Sequence, residues 1–239
     1  KHLMIAKRII ARLFLVFCAV TMNCQAQGTF QNLNFEAANL VAVPGGIAFG
    51  QALPNWAGFV GGVPQSAVLS NSYYLDTSGI TIVTMDWPGY FDAGVISGGY
   101  SVLLQAGLSF SVDPVPADVS LAQSGTVPVT AQALYFRAYP GSVSGFLPLR
   151  VFIGGQNVSF TPLSTDPKST LFGADIRPWQ GIATTVDFTL LAQRPHFGNN
   201  YMFLDSIQFS DLPIPEPSSL SLLVLSALLL GKFRRRMRG

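Results

Sequence analysis

The sequence predicts an all-β domain, a two-sheet antiparallel sandwich or jelly roll, and three observations carry that prediction. Short segments rich in β-branched and aromatic residues recur through the middle of the chain. Clusters of Gly, Pro, Asn and Ser separate them, and no long amphipathic helix pattern competes. Strands this frequent, with no helices between them, suit two packed sheets better than a parallel sheet wound with helices.

Taken in order, the strands are expected at 80–85, 100–105, 133–139, 149–153, 184–191 and 201–209. Their punctuation is Gly45-Gly46, Gly61-Gly62, Gly98-Gly99, Asp113-Pro114, Gly154-Gly155 and Gly198-Asn199-Asn200, residues that supply turn conformations or end hydrogen-bond ladders. Alternation is clearest in Thr185-Val186-Asp187-Phe188-Thr189-Leu190, which puts Val186, Phe188 and Leu190 on one face.

The two ends of the chain have a different character. Lys1, Lys7, Arg8 and Arg12 precede an apolar run over 13–22 that ends near small residues, the layout of a secretory signal peptide spanning 1–26. At the other end, Pro215-Glu216-Pro217 leads into an uncharged run over 218–231 and a basic tail over 232–239. The 15 uncharged residues between Glu216 and Lys232 rise about 22 Å as a helix, short of a hydrocarbon core of about 30 Å. Lys232 and the arginines snorkel and local thinning makes up the rest, with the positive tip on the cytoplasmic side. The ectodomain is then 27–213.

Charge bounds the function. Nine of the 14 Lys+Arg lie within 1–12 and 232–238, so the chain between Arg12 and Lys232 holds five against 12 acidic residues, a net charge of −7. A body with so little basic surface has no means to neutralise phosphates, and nucleic acid is excluded as an expected partner. Both cysteines, Cys18 and Cys24, belong to the N-terminal stretch, so the body must fold without disulfides. Some 180 residues suffice to bury a core.

Ile214-Pro215-Glu216-Pro217-Ser218, the run from Leu220 to Leu230, and Lys232, Arg234, Arg235, Arg236 and Arg238, in that order, resemble the PEP-CTERM sorting signal. The resemblance covers about a tenth of the chain. It implies transient residence in the inner membrane of a Gram-negative bacterium, removal of the segment by an exosortase-type processing protease, release to the cell surface or extracellular matrix, and association with exopolysaccharide.

Within the body, Asn32-Leu33-Asn34-Phe35-Glu36, Leu53-Pro54-Asn55-Trp56, Gly99 to Leu104, Asp175-Ile176 through Gly181, and Phe203-Leu204-Asp205-Ser206-Ile207 resemble landmarks of galactose-binding-like jelly rolls, a fold shared by many carbohydrate-binding modules. That resemblance implies a structural calcium ion held by Glu36 and Asp205 together with backbone carbonyls. The family's second acidic residue after the last-strand Asp is Ser206 here.

Catalytic patterns are sparse. His196 is the body's one histidine, in a polar turn, and Gly141-Ser142-Val143-Ser144-Gly145 has Val143 where a nucleophile elbow needs serine. Glycosidase chemistry needs two carboxylates flanking the bond; Asp86, Asp92, Asp113, Asp118, Asp166, Asp175 and Asp187 are candidates that the sequence does not pair. Asp113-Pro114 and Asp166-Pro167 read first as turn residues.

For glycan contact, Asp86-Trp87-Pro88-Gly89-Tyr90-Phe91-Asp92 offers flat rings on Trp87 and Tyr90 and acceptors on Asp86 and Asp92. The competing reading is that this cluster plugs one end of the sandwich. The expectation is therefore an exported, non-enzymatic, polysaccharide-associated β-sandwich. A glycan-active hydrolase and a purely structural surface protein are the alternatives.

Overall fold

The computed structural model describes residues 28–41, 46–73, 75–89, 93–109, 111, 113–140, 148–192 and 199–214. The expected signal helix, the sorting motif with its apolar run and basic tail, Tyr90, Asp92 and His196 lie outside these residues. No helix among the described residues is long and apolar enough to cross a membrane.

The elements in chain order are β1 (Ile47–Ala48), a one-turn helix α1 (Phe49–Ala52), β2 (Ala57–Val60), β3 (Val63–Pro64), β4 (Ala67–Ser70), β5 (Gly79–Thr84), β6 (Tyr100–Leu108), β7 (Pro116–Ala117), and β8 (Val119–Thr126). They continue with β9 (Ala133–Pro140), β10 (Leu149–Ile153), β11 (Gln156–Val158), β12 (Phe160–Thr165), β13 (Thr170–Asp175), a 3-10 turn (Arg177–Trp179), β14 (Ala183–Leu190) and β15 (Asn200–Ser210). All six expected strands are present within a few residues of their expected limits. The all-β, two-sheet architecture is confirmed.

Nine strands form one sheet in the order β1-β4-β5-β6-β15-β9-β13-β12, with β7 against β6, and six form the other in the order β11-β10-β14-β8-β2-β3. One pairing corrects the antiparallel expectation: β4 runs parallel to β5, with Leu69 opposite Thr81 and Ser70 opposite Ile82. The connection returns along the sheet because Asn71, at φ 44°, turns the chain. Its side chain then mimics a ladder, accepting from the Thr84 amide at 2.8 Å and donating to the Thr84 hydroxyl at 2.6 Å.

The core follows from alternation. Val186, Phe188 and Leu190 are buried on β14 as predicted, while their neighbours Thr185, Asp187 and Thr189 face outward on the six-stranded sheet. Phe136 of β9 meets Phe188 edge-on at 5.2 Å across the two sheets, and stacks on Phe172 of its own sheet at 5.3 Å. The β10–β11 hairpin turns on Gly154-Gly155, at φ 59° and 75°, the doubly left-handed pair that a two-residue turn between twisted strands demands.

Both described ends leave from one end of the sandwich. The Thr29 amide bonds the Thr126 carbonyl at the end of β8, and the Gln132 amide bonds the Ser210 carbonyl at the end of β15. The turn 127–132 joins those two places. Segment 28–41 then lies along the sandwich as a clasp: Trp56 donates its indole N–H to the Asn32 carbonyl at 2.9 Å, and Ile207 donates its amide to the Leu33 carbonyl at 2.9 Å.

Candidate functional site

Glu36 and Asp205, distant in sequence, converge on the loop that opens β6. Glu36 Oε1 accepts from the Gly99 amide at 2.9 Å and the Tyr100 amide at 3.2 Å. Asp205 Oδ2 accepts from the Ser97 amide at 3.0 Å and the Ser101 hydroxyl at 2.8 Å, and its Oδ1 from the Ser206 amide at 2.5 Å. A bulge between Asp205 and Gln208, with Ser206 at φ 51°, aims the carboxylate at that loop.

Asp205 has no exposed surface. Burial is the main cause that pushes its pKa up to about 6, the Ser101 hydroxyl and the Ser206 and Ser97 amides oppose it, and the Glu36 charge raises it further. Arg137 stands directly across the ladder from Asp205, yet its guanidinium bonds Asp166 at 2.6 Å instead. The Glu36 charge thus acts on Asp205, and among the described residues neither acid is in an ion pair.

This arrangement fits a hard cation in charge, and incompletely in ligands. Calcium takes six to eight oxygens, and no group of three or more His, Cys, Asp or Glu among the described residues is placed to hold a metal. Any remaining ligands must be neutral oxygens. A cleft of ≈ 440 Å³ opens beside the clasp, between Asn32 and Asn34 on one side and Ser97, Ser206 and Gln208 on the other.

A second feature occupies the outer face of the nine-stranded sheet. Val83, Leu103 and Phe203 are fully buried there, under Ala93 and Val95, and the half-buried rings of Tyr73, Trp87, Tyr139 and Tyr201 pack around them. Trp87 meets Phe203 edge-on at 5.6 Å and Tyr139 meets it at 6.3 Å. Of the loop singled out in the sequence, Trp87 therefore belongs to this cluster, and Asp86 is exposed.

Sequence reasoning did not single out Tyr73, Tyr139, Tyr201 or the floor beneath them. A signal was present: Val102-Leu103-Leu104 and Met202-Phe203-Leu204 are unbroken apolar runs, and a strand apolar on both faces is covered on both faces.

The other acids are dispersed. Asp166 is a turn residue, as its Asp-Pro form suggested, accepting from the Lys168 and Ser169 amides at 2.9 and 2.8 Å. Those backbone bonds, with that of Lys168 first, hold its pKa below the usual carboxylate range. The Arg177 side chain does the same for Asp175. Asp187 stands on the outer face of the six-stranded sheet with the Thr189 hydroxyl at 2.6 Å, and burial pushes its pKa up. The Glu36–Asp205 pair does not meet the glycosidase requirement, because an acid with no exposed surface does not reach a glycosidic bond.

No family model matches the chain, and no curated protein is similar to it in sequence. Among solved structures, the K2 cleaved adhesin domain of Lys-gingipain is similar with a TM-score of 0.38 and 16% identity, over 74% of this chain and 95% of that one. A structure described as showing promiscuous specificity in carbohydrate-binding modules of the β-sandwich superfamily has a TM-score of 0.35 and 12% identity, over 77% of this chain and 63% of that one. At such scores and identities these likenesses carry neither fold nor ligand, which rest on the chain's own residues.

Proposed function

We propose that the chain is an exported surface or matrix protein whose β-sandwich binds polysaccharide without catalysis on the outer face of its nine-stranded sheet. The observation that carries this reading is the ring of half-buried Tyr73, Trp87, Tyr139 and Tyr201 around a closed apolar floor. Such rings present flat faces to the C–H surface of a sugar. Arg137 and Asp166, at the margin of the same face, supply a donor and an acceptor for hydroxyls.

The test is retention of residues 27–213 on a glycan array and in polysaccharide-containing native gels. Tyr139→Ala with Tyr201→Ala abolishes retention at a temperature well below the melting temperature of the double variant, which loss of these packed rings lowers. Unchanged retention of the double variant sinks the reading.

The route belongs to the same proposal. The basic and apolar N-terminal stretch, Pro215-Glu216-Pro217 and the basic tip support export, a membrane-held intermediate and release by an exosortase-type protease. Mass spectrometry of the extracellular protein then finds it without residues 234–238; recovery with those arginines attached refutes the processing step.

We also propose that Glu36 and Asp205 hold a structural calcium ion, on the strength of two carboxylates that converge on the 97–101 loop and, among the described residues, are in no ion pair. A ligand that binds only the folded state raises the melting temperature with its concentration. Melting curves identical in chelator and in millimolar calcium argue against the ion.

A further inference from the structure

We infer that the end of the sandwich from which the C-terminal segment departs is a membrane-contacting surface, with Val129, Ile182 and Leu212 as the groups that meet the lipid headgroup region. The inference rests on the reading of the apolar run 218–231 as a membrane span and goes beyond it, since an anchor alone leaves the body free to point anywhere.

Three observations lead there. Val129 is 74% exposed, Leu212 67% and Ile182 48%, and all three belong to one end. Gly181 donates its amide to the Val127 carbonyl and Val127 donates to the Ile182 carbonyl, tying the turn 177–182 to the turn 127–132. The Gln132 side chain donates to the Asp211 carbonyl at 2.7 Å, which holds the Leu212 segment beside that same turn. The Tyr135 hydroxyl bonds the Pro213 carbonyl at 3.3 Å, so the tail is fastened to the body up to that residue.

The chain then has little slack. From Ile214 to the start of the apolar run at Ser218 are four residues, at most about 14 Å of extended chain. The run is itself about 8 Å shorter than a hydrocarbon core. A short span is accommodated partly by pulling its flanks toward the membrane, and the flank here is this end of the sandwich.

Charge does not distinguish the two ends: Glu36 and Asp86 lie toward the near one with the Asp175–Arg177 pair and Asp211, and Asp76, Asp113, Asp118 and Arg150 toward the far one. The orientation rests on the short tether. The far end has its own exposed apolar residues, Val63, Leu75 and Val115, which makes it a matched control. The 11 residues of β15 separate the two ends by about 36 Å.

The experiment uses the full chain in vesicles of phosphatidylglycerol and phosphatidylethanolamine, with Cys18→Ser and Cys24→Ser and one new cysteine at a time carrying a fluorophore. Lipids bearing a nitroxide near the headgroup quench labels at Val129→Cys, Ile182→Cys and Leu212→Cys severalfold more than labels at Val63→Cys, Leu75→Cys and Val115→Cys. Val129→Asp combined with Ile182→Asp lowers quenching at Leu212→Cys, while the melting temperature and flotation with vesicles persist. A chain that does not float with vesicles overturns the membrane span and this inference with it. A chain that floats with equal quenching at both ends overturns this inference alone. Near-end labels shielded from a water-soluble quencher but not reached by the lipid nitroxide also overturn it, since a protein segment then covers that end.

Discussion

The two outer faces of the sandwich share one core and differ in almost everything else. On the nine-stranded sheet, Phe203 and Leu103 are as buried as any residue between the sheets, because residues 93–97 lie over them. On the six-stranded sheet, the corresponding positions are the polar Ser120, Ser124, Thr185 and Thr189, all partly or fully exposed. Each face also holds one acid raised by burial: Asp205 is wrapped by the 97–101 loop, and Asp187 has a threonine hydroxyl. The difference teaches that an irregular segment can turn a sheet's solvent face into a second core, and that the acid beneath it becomes the more strongly perturbed.

Phe203→Ala tests this most severely. If the covered face behaves as core, the substitution costs about 3 to 5 kcal/mol in urea denaturation. Phe152→Ala, half-buried on the uncovered face, costs about 1 kcal/mol or less. Equal losses would erase the distinction between the faces.

The second prediction concerns pH. The ordinary carboxylate value for Asp205 is 3.8 and its folded value about 6, so the folded state holds the proton more tightly than the unfolded state. Stability from this group is greatest on the acid side, falls as pH rises from about 4 to about 6, and is level above that. The interval amounts to about 3 kcal/mol at 1.36 kcal/mol per tenfold step. Asp205→Asn flattens this part of the profile, and a calcium ion in the clasp does the same by favouring the ionised acid. A parent profile already flat in chelator contradicts the description of the site.

Gly98→Ala gives a smaller loss, about 1 to 3 kcal/mol. Gly98 has φ +64°, and an added Cβ would fall 2.3 Å from Glu36 Oε1, breaking the bonds from the Gly99 and Tyr100 amides. Amide hydrogen exchange reports it as lost protection at 97–101 and 33–38, with the six-stranded sheet unchanged.

Asp187→Asn is the mildest. Relieving a half-buried charge raises stability at neutral pH, and the gain shrinks as the pH falls and the parent takes up its proton. Thermal melts at pH 4 and pH 7.5 resolve the sign.

The strands that sequence reasoning passed over were weak for identifiable reasons. β12 is an exposed edge strand carrying Pro162, which lacks the N–H of a ladder and is tolerated because the edge needs none. β8 reads Val-Ser-Leu-Ala-Gln-Ser-Gly-Thr, polar on its outer face and small toward its end. β2 has Gly58 at its centre, where a side chain would meet Phe49 and Ile80. In each case the local signal was diluted by a requirement imposed from outside the strand.

By itself, the sequence determined that this body is all-β, where six of its strands run, which side chains of β14 face inward, and that its interior forms without cysteine. These follow from alternation and turn chemistry, which are local. The tertiary structure alone decided that β15 lies between β6 and β9, that β4 and β5 run parallel, and that Glu36 meets Asp205 on a loop belonging to neither. Ladder hydrogen bonds are made by backbone common to every residue, so a strand's sequence states which face it buries and not beside which strand it lies.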